Sequence, residues 1–236
     1  MQLDYKIVIT GGSGRFGSIL KKKYKSDKLL YPNKKELNIL STESIEKYLK
    51  KTKPKILIHL AGLSRPMKMH NDDIIKSIDL NIIGTGNIVK ICSKLRIKLI
   101  YFSTSYVYEG KKGNYKETDP VLPFNNYAWS KMGGECSVRM YKNSLILRCC
   151  MTEKPFVHKR ALVNVKANFI FQDEIADVIF KIINKKGILN IGGKIQSIYD
   201  FAKKHGNVKK SFLKIGFPQN PSMNVTKFQK IIKKSY

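Results

Sequence analysis

The chain has few cysteines, few acids, few arginines and no long apolar run. The four cysteines, Cys92, Cys136, Cys149 and Cys150, show no metal-ligand spacing and are read as reduced thiols. Cys149 and Cys150 are adjacent in an expected strand and should point to opposite faces. No stretch approaches the ~20 apolar residues that span a bilayer. The opening Met1-Gln2-Leu3-Asp4-Tyr5-Lys6 lacks the apolar core of a signal peptide, so a cytoplasmic protein with no membrane partner is expected. Acids number 17 against 45 lysines and arginines, a formal net charge of +28. The arginines are confined to Arg15, Arg65, Arg96, Arg139, Arg148 and Arg160. Bidentate phosphate and base recognition favours arginine, and single-strand binding favours interleaved aromatics. Neither pattern stands out, so no specific nucleic-acid partner is expected. The lysines run through nearly every segment as a solvated coat. Such a surface still attracts polyanions, phosphorylated small molecules among them.

What is present is a chain of 236 residues, 42% hydrophobic and 10% aromatic, enough to bury one real core. Short apolar runs alternate with longer amphipathic ones. Strands are expected at 5–10, 28–31, 55–60, 98–103 and 144–149. Helices are expected from Phe16 to Tyr24, from a cap at Ser41 or Thr42 to about Lys51, over Asn71–Leu95 as one long region, and from about Asn126 to Tyr141. Later come a helix over 173–185, a strand over 187–191, a helix over 197–205 and a basic helix over 225–234. Strands alternating with helices imply right-handed crossovers and a parallel sheet covered on both faces. The expected fold is therefore α/β: a Rossmann-like doubly wound parallel sheet with a small C-terminal substrate-binding lobe. Residues 1–150 form the nucleotide-binding part, and 151–236 supply the remaining sheet elements and the lobe, not as an independent domain. Ligands of such sheets bind at the carboxyl ends of the strands.

The glycine cluster Thr10-Gly11-Gly12-Ser13-Gly14-Arg15-Phe16-Gly17 lies between the first strand and the first helix. Gly11 and Gly14 permit a tight turn and close approach of a pyrophosphate, and Gly17 permits close helix–sheet packing. The free N–H groups of the helix start then face phosphate. At the end of the second strand, Tyr31-Pro32-Asn33-Lys34-Lys35 offers no acid before Glu36 to grip a ribose 2′-hydroxyl. Positive charge there, with Arg15 reaching from the loop, suits the 2′-phosphate of NADP(H).

Tyr127 and Lys131 stand four residues apart at the start of a helix and share a face. A neighbouring ammonium favours a phenolate and so equips a tyrosine for proton exchange at neutral pH. The fourth strand runs into Ser103-Thr104-Ser105-Tyr106, where the Thr104 hydroxyl can bond a carbonyl oxygen that is becoming an alkoxide. His59 is read as a core histidine.

Glycine loop, strand-end hydroxyl and Tyr-x-x-x-Lys, in that order, together with Phe102–Gly110, Tyr115–Pro120, Gly134-Glu135, Asp173–Ala176, Asn190–Gly193 and Pro221–Phe228, resemble the extended short-chain dehydrogenases/reductases. Within them the chain is most similar to the dTDP-4-dehydrorhamnose reductase group. His59-Leu60-Ala61-Gly62, Asn81 with Gly84-Thr85, and Glu36-Leu37-Asn38-Ile39 resemble that superfamily's strand-end, central-helix and adenine-flanking segments. The resemblance implies Tyr127 as general acid, Lys131 as its electrostatic partner and Thr104 as carbonyl binder. It implies cofactor contacts from Gly11, Ser13, Gly14, Arg15, Phe16, Gly17, Lys34, Asn38, Ile39, Leu60, Ala61, Gly62, Asn81 and Ser103. Substrate contacts would come from Ser64, Arg65, Ser105, Tyr106 and Arg148, with Lys159 and Arg160 further candidates to hold a diphosphate. No metal is implied, and a homodimer is allowed.

The activity implied is NADPH-dependent reduction of a nucleotide-diphosphate sugar, a 4-keto-6-deoxyhexose, in rhamnose-like deoxysugar synthesis. The chain departs from the pattern in carrying Ser105 where these reductases usually have Asp, and Phe217-Pro218 where Arg-Pro is common. Sugar dehydratases place Asp-Glu after the threonine, and Ser105-Tyr106 cannot do that acid/base work. Alternatives are an NAD(P)-dependent nucleotide-sugar 4-epimerase and a catalytically silent, reductase-like regulatory subunit, such as the β-subunit of methionine adenosyltransferase. Nucleic-acid binding through the lysines ranks last.

Overall fold

Four apolar runs become strands in which every residue is buried: β1 (Ile7–Thr10), β3 (Ile56–His59), β4 (Lys98–Thr104) and β5 (Ser144–Cys149). Burial on both faces is what continuous β-branched runs require. A computed structural model describes residues 3–213 and 218–233 of the chain. With β2 (Leu29–Leu30) and β10 (Gly187–Ile191), these strands form a six-stranded sheet in the order β10-β5-β4-β3-β1-β2. β1 pairs in parallel with β2 and β3, and β3 with β4. Between them run α1 (Arg15–Lys23), α2 (Thr42–Thr52), α3 (Met69–Asp72), α4 (Ile74–Ile78), α5 (Gly84–Lys94) and α6 (Asn126–Arg139). This is the doubly wound arrangement expected. Of the two hydroxyls able to cap α2, Ser41 does so, accepting from Ser44 N.

The long helix expected over 71–95 is a correction. Asp73 leaves helical geometry at φ −138° and ψ 75°, ends α3, and caps α4 by accepting from Lys76 N. A π-helical turn over Asp79–Ile83 then joins α4 to α5. Asp is a helix capper as readily as a helix member, and periodicity alone does not distinguish the two. The final helix, α9, covers Thr226–Lys233; Lys234 and Phe217 lie outside the described residues.

By contact density the chain forms two units. One holds residues 1–102, 129–146 and 185–187, the other 103–128, 147–184 and 188–236. The backbone passes from one to the other within β4, β5, α6 and β10. In the second unit, β6 (Met151–Thr152) pairs with β9 (Ile170–Phe171), β7 (Arg160–Leu162) with β12 (Lys209–Ser211), and β8 (Lys166–Ala167) with β11 (Gln196–Ser197). An aromatic core of Phe156, Phe171 and Phe201, with Ala161 and Ala202, joins β7 and β9 to α8 (Ile198–Ala202), and α7 (Gln172–Ile182) follows β9 directly. Among the described residues no helix is long and apolar enough to cross a membrane.

The second unit is also held by a buried polar network. Asn190, fully buried, accepts from the Tyr108 hydroxyl at 2.9 Å and donates to the carbonyls of Tyr115 at 2.9 Å and Asn224 at 3.3 Å. Its backbone N–H donates to Glu117 Oε1. Arg148, 1% exposed, donates Nη1 to the Tyr108 oxygen at 2.8 Å, and its guanidinium lies 4.9 Å from that ring's centroid. Asn190→Ala would strand these buried groups. It should cost about 2–3 kcal/mol, read as a lower urea midpoint. An unchanged midpoint would show that the network does not stabilise the unit.

Candidate active site

In the first unit, β1 delivers the chain into the glycine loop. Gly11 sits at φ +72°, and a Cβ there would lie 2.6 Å from Ala61 N, so glycine alone is tolerated. A Cβ at Gly17 would collide with the backbone of Gly11 and Gly12. Gly14 N donates to Gly11 O at 2.9 Å and closes the turn. Ser13, Gly14 and Arg15 are exposed, while Phe16 packs inward with its ring centroid 5.1 Å from that of Phe102. The first turn of α1 contains no acid, and its last turn carries Lys21, Lys22 and Lys23. The loop is thus a tight backbone turn packed against Ala61 and Tyr31, leading into a helix start at which Ser13, Gly14 and Arg15 are exposed. That fits a dinucleotide phosphate.

Tyr31, just past β2, packs beneath Gly12: a Cβ on Gly12 would lie 2.9 Å from Tyr31 Cβ. Its hydroxyl is buried without a hydrogen-bond partner among the described residues, and burial pushes its pKa up to about 12. Twenty residues past Gly11, where an acid would grip the ribose, this chain has a neutral phenol. Lys34 is exposed nearby in sequence. Asn38 spends its side chain on Leu40 N, and Ile39 is buried against Gly84.

The segment after β3 is pinned by Asn81, in the π turn and 1% exposed. Its Oδ1 accepts from Leu63 N at 2.7 Å, and its Nδ2 donates to Leu63 O and to Ser130 Oγ, both at 2.8 Å. Leu60 and Ala61 are half-buried, and Gly62 is exposed at φ +155°. Ser64 and Arg65 are exposed, and Ser64 Oγ accepts from Arg15 Nη2 at 2.8 Å.

Lys131 Nζ stands 4.3 Å from the centroid of Tyr101, whose hydroxyl donates to Lys131 O. The ammonium reaches two buried histidines. His59, as expected a core residue, is 1% exposed between the hydroxyls of Thr10 at 2.8 Å and Thr85 at 3.2 Å. Burial, with Lys131 adding to it, pushes its pKa down to about 3. The same two causes lower His70, whose Nδ1 meets Ser77 Oγ at 2.7 Å. Both rings are therefore neutral near pH 7. Sequence reasoning gave no hint of His70 or of Ser130, because their partners are set by tertiary contacts.

In the second unit, β4 ends in buried Ser103 and Thr104, and Thr104 Oγ1 accepts from Tyr106 N at 3.3 Å. Tyr106 and Tyr127 are half-exposed, their rings edge-to-face at 6.2 Å, and Phe124 backs Tyr106 at 5.0 Å. Tyr127 and Lys131 both lie on α6, one turn apart. Among the described residues no cluster of His, Cys, Asp and Glu could hold a metal.

Residues 5–153 match the RmlD substrate binding domain family. The chain belongs to that family. It is 26% identical over 142 residues to methionine adenosyltransferase 2 subunit beta of Pongo abelii, covering 56% of this chain and 42% of that protein. A dTDP-D-glucose 4,6-dehydratase of Dictyostelium discoideum is 30% identical across 86% of this chain and 62% of its own length. The crystal structure of dTDP-4-dehydrorhamnose reductase from Bacillus anthracis, in complex with NADP, superposes with a TM-score of 0.84 at 20% identity, covering 97% of this chain and 93% of the other. That likeness shows the Rossmann-like fold.

Two substrate-contact expectations for this family member need correction. Arg148 is 1% exposed and already hydrogen-bonded to Tyr108 and to Glu117 O, so it is a core residue with no open face for a diphosphate. Ser105 is 1% exposed and hydrogen-bonded to Cys150, so it too faces inward.

The neutral state of His59 has a pH signature. Its folded pKa lies below the ordinary 6.5, so the unfolded chain takes up a proton that the fold refuses. Stability is unaffected above pH 6.5 and is lost as pH falls from there toward 3, by about 1.4 kcal/mol per unit. From pH 7 to pH 5 the unfolding free energy should drop by about 2 kcal/mol through His59, with His70 acting in the same direction. His59→Gln should flatten that slope in urea melts at the two pH values. An equally steep slope in the variant would mean that another group sets it.

Proposed function

We propose that the chain is an NADPH-dependent reductase of a nucleotide-linked 4-keto-6-deoxyhexose, serving rhamnose-like deoxysugar synthesis. The observation that carries this is the retention, on one helix, of Tyr127 in the first turn and Lys131 one turn later, with β4 ending in Thr104. The tight glycine turn before α1 supports it, as do the NADP complex of the Bacillus anthracis reductase and the family match.

Gly11, Ser13, Gly14 and the start of α1 would hold the cofactor's diphosphate. The neutral Tyr31 would leave room for a 2′-phosphate that a carboxylate would repel. The bound nicotinamide supplies the hydride. Thr104 then donates a hydrogen bond to the sugar's keto oxygen as negative charge develops on it. Tyr127 gives that oxygen its proton, and Lys131 favours the phenolate left behind. With His59 and His70 neutral, the ammonium has no cationic rings around it to compete.

The Dictyostelium relative is named a dehydratase, a reaction for which an Asp-Glu pair after the threonine would serve as acid and base. Here the pair is Ser105-Tyr106, with Ser105 turned to Cys150, which supports reduction over dehydration. A second reading, a regulatory subunit, draws on the similarity to methionine adenosyltransferase 2 subunit beta. A 4-epimerase would keep its cofactor through the cycle and consume none.

The test is NADPH oxidation by the purified chain with UDP-, dTDP- and GDP-linked 4-keto-6-deoxyhexoses. Turnover is expected with one nucleotide, falling about 100-fold or more in Tyr127→Phe and in Lys131→Met. No turnover despite tight NADPH binding would overturn the reductase and favour the regulatory subunit. Interconversion of two sugars without net oxidation would favour the epimerase.

A further inference from the structure

Arg15 occupies a position that suits no helix by itself. It opens α1, whose first turn has no acid, so its guanidinium adds positive charge to the positive end of the helix dipole. The side chain does not fold back along the helix. Nη2 instead donates to Ser64 Oγ at 2.8 Å, forty-nine residues away, and both residues are exposed. Ser64 is a fixed anchor, because Asn81 holds both backbone groups of the preceding Leu63. In the sheet order β3-β1-β2, Ser64 follows β3 while the ribose-reading position follows β2, on the other side of β1. The guanidinium therefore leans toward the β3 side, away from the side where a 2′-phosphate would be read.

We propose that Arg15 is a strap for the dinucleotide's diphosphate, and that Ser64 holds the guanidinium in place until an anion takes it over. This rests on the dinucleotide reading above. Exchange of a neutral hydroxyl for an anionic oxygen replaces a weak bond with a charge-assisted one, and a planar fork can meet two phosphate oxygens at once. The anion also removes the conflict between Arg15 and the helix dipole, since both then face negative charge. NADPH and NADH share the diphosphate, so Arg15 contributes equally to both. A 2′-phosphate contact would contribute to NADPH alone.

The test is calorimetric titration of the full chain with NADPH and with NADH, catalysis playing no part. Arg15→Ala should raise Kd about tenfold for both dinucleotides, Arg15→Lys by less for both, and Ser64→Ala should leave both unweakened. A loss confined to NADPH would overturn the proposal in favour of a 2′-phosphate contact, and no loss would overturn it outright. Equal losses in Ser64→Ala and Arg15→Ala would mean that the bridge itself shapes the loop, which also overturns it. Arg15 is exposed, and an unchanged thermal melt confirms that its variants fold. If the unsubstituted chain binds neither dinucleotide, the dinucleotide reading itself fails, an outcome visible before any variant is made.

Discussion

Asn81 carries the constraint on which the first unit is arranged. Its amide, 1% exposed, is bonded to both backbone groups of Leu63 and to the hydroxyl of Ser130, so one side chain ties the segment after β3 to α6. The backbone swells into a π turn at this point, and π turns tend to occur where a helix must present a side chain at an angle the α form does not offer. The packing is equally tight on the other side. A Cβ at Gly134 would lie 2.5 Å from Asn81 O and 2.7 Å from the Tyr101 hydroxyl, and one at Gly133 would lie 2.8 Å from Ile82. The helix that bears Lys131 therefore lies directly on the turn that bears Asn81.

That closeness sets the electrostatics. Lys131 is half-buried, and its ammonium lies 4.3 Å from the centroid of the Tyr101 ring, a face that attracts a cation. Loss of solvent, with the Lys131 charge adding to it, keeps His59 and His70 uncharged. Each neutral ring still needs partners for its nitrogens. Thr10, Thr85 and Ser77 supply hydroxyls, which can donate or accept as the tautomer demands.

The sheet, the glycine loop and the Tyr127–Lys131 pair were legible because each is encoded locally. Period-two and period-3.6 apolar patterns place strands and helices, and a four-residue spacing needs only one helix to become a shared face. What was not legible depends on residues far apart in sequence. Asn81 and Leu63 are eighteen positions apart, Asn81 and Ser130 forty-nine, Arg148 and Tyr108 forty. Nothing in the sequence around Arg148 says that its guanidinium turns into the core, and an arginine near a strand's carboxyl end is as readily read as an anion binder. Ser105 misleads in the same way. Its neighbours Thr104 and Tyr106 belong to the strand end that a ligand would meet, yet it turns to Cys150. The break at Asp73 is a subtler case, since the residue was compatible with both helix interior and cap, and its bond to Lys76 N decides.

The net charge of +28 imposes its own limit on how this fold can be stabilised. With so few acids, surface ion pairs such as Glu46 with Lys50 and Lys94, and Asp200 with Lys203, are few and exposed on the lysine side, and pairs of that kind contribute little. Cohesion must come from buried apolar strands and from polar groups satisfied inside, which is where Asn81, Asn190 and Arg148 are found. Arginine suits the last of these places because its weakly hydrated plane can lie against Tyr108 and donate to it at once, whereas a lysine ammonium would be buried as a point charge. The lysines left outside favour solubility and speed the arrival of anions, while their mutual repulsion works against the compact state. A chain can then change much of its surface charge without moving the residues that position Thr104, Tyr127 and Lys131.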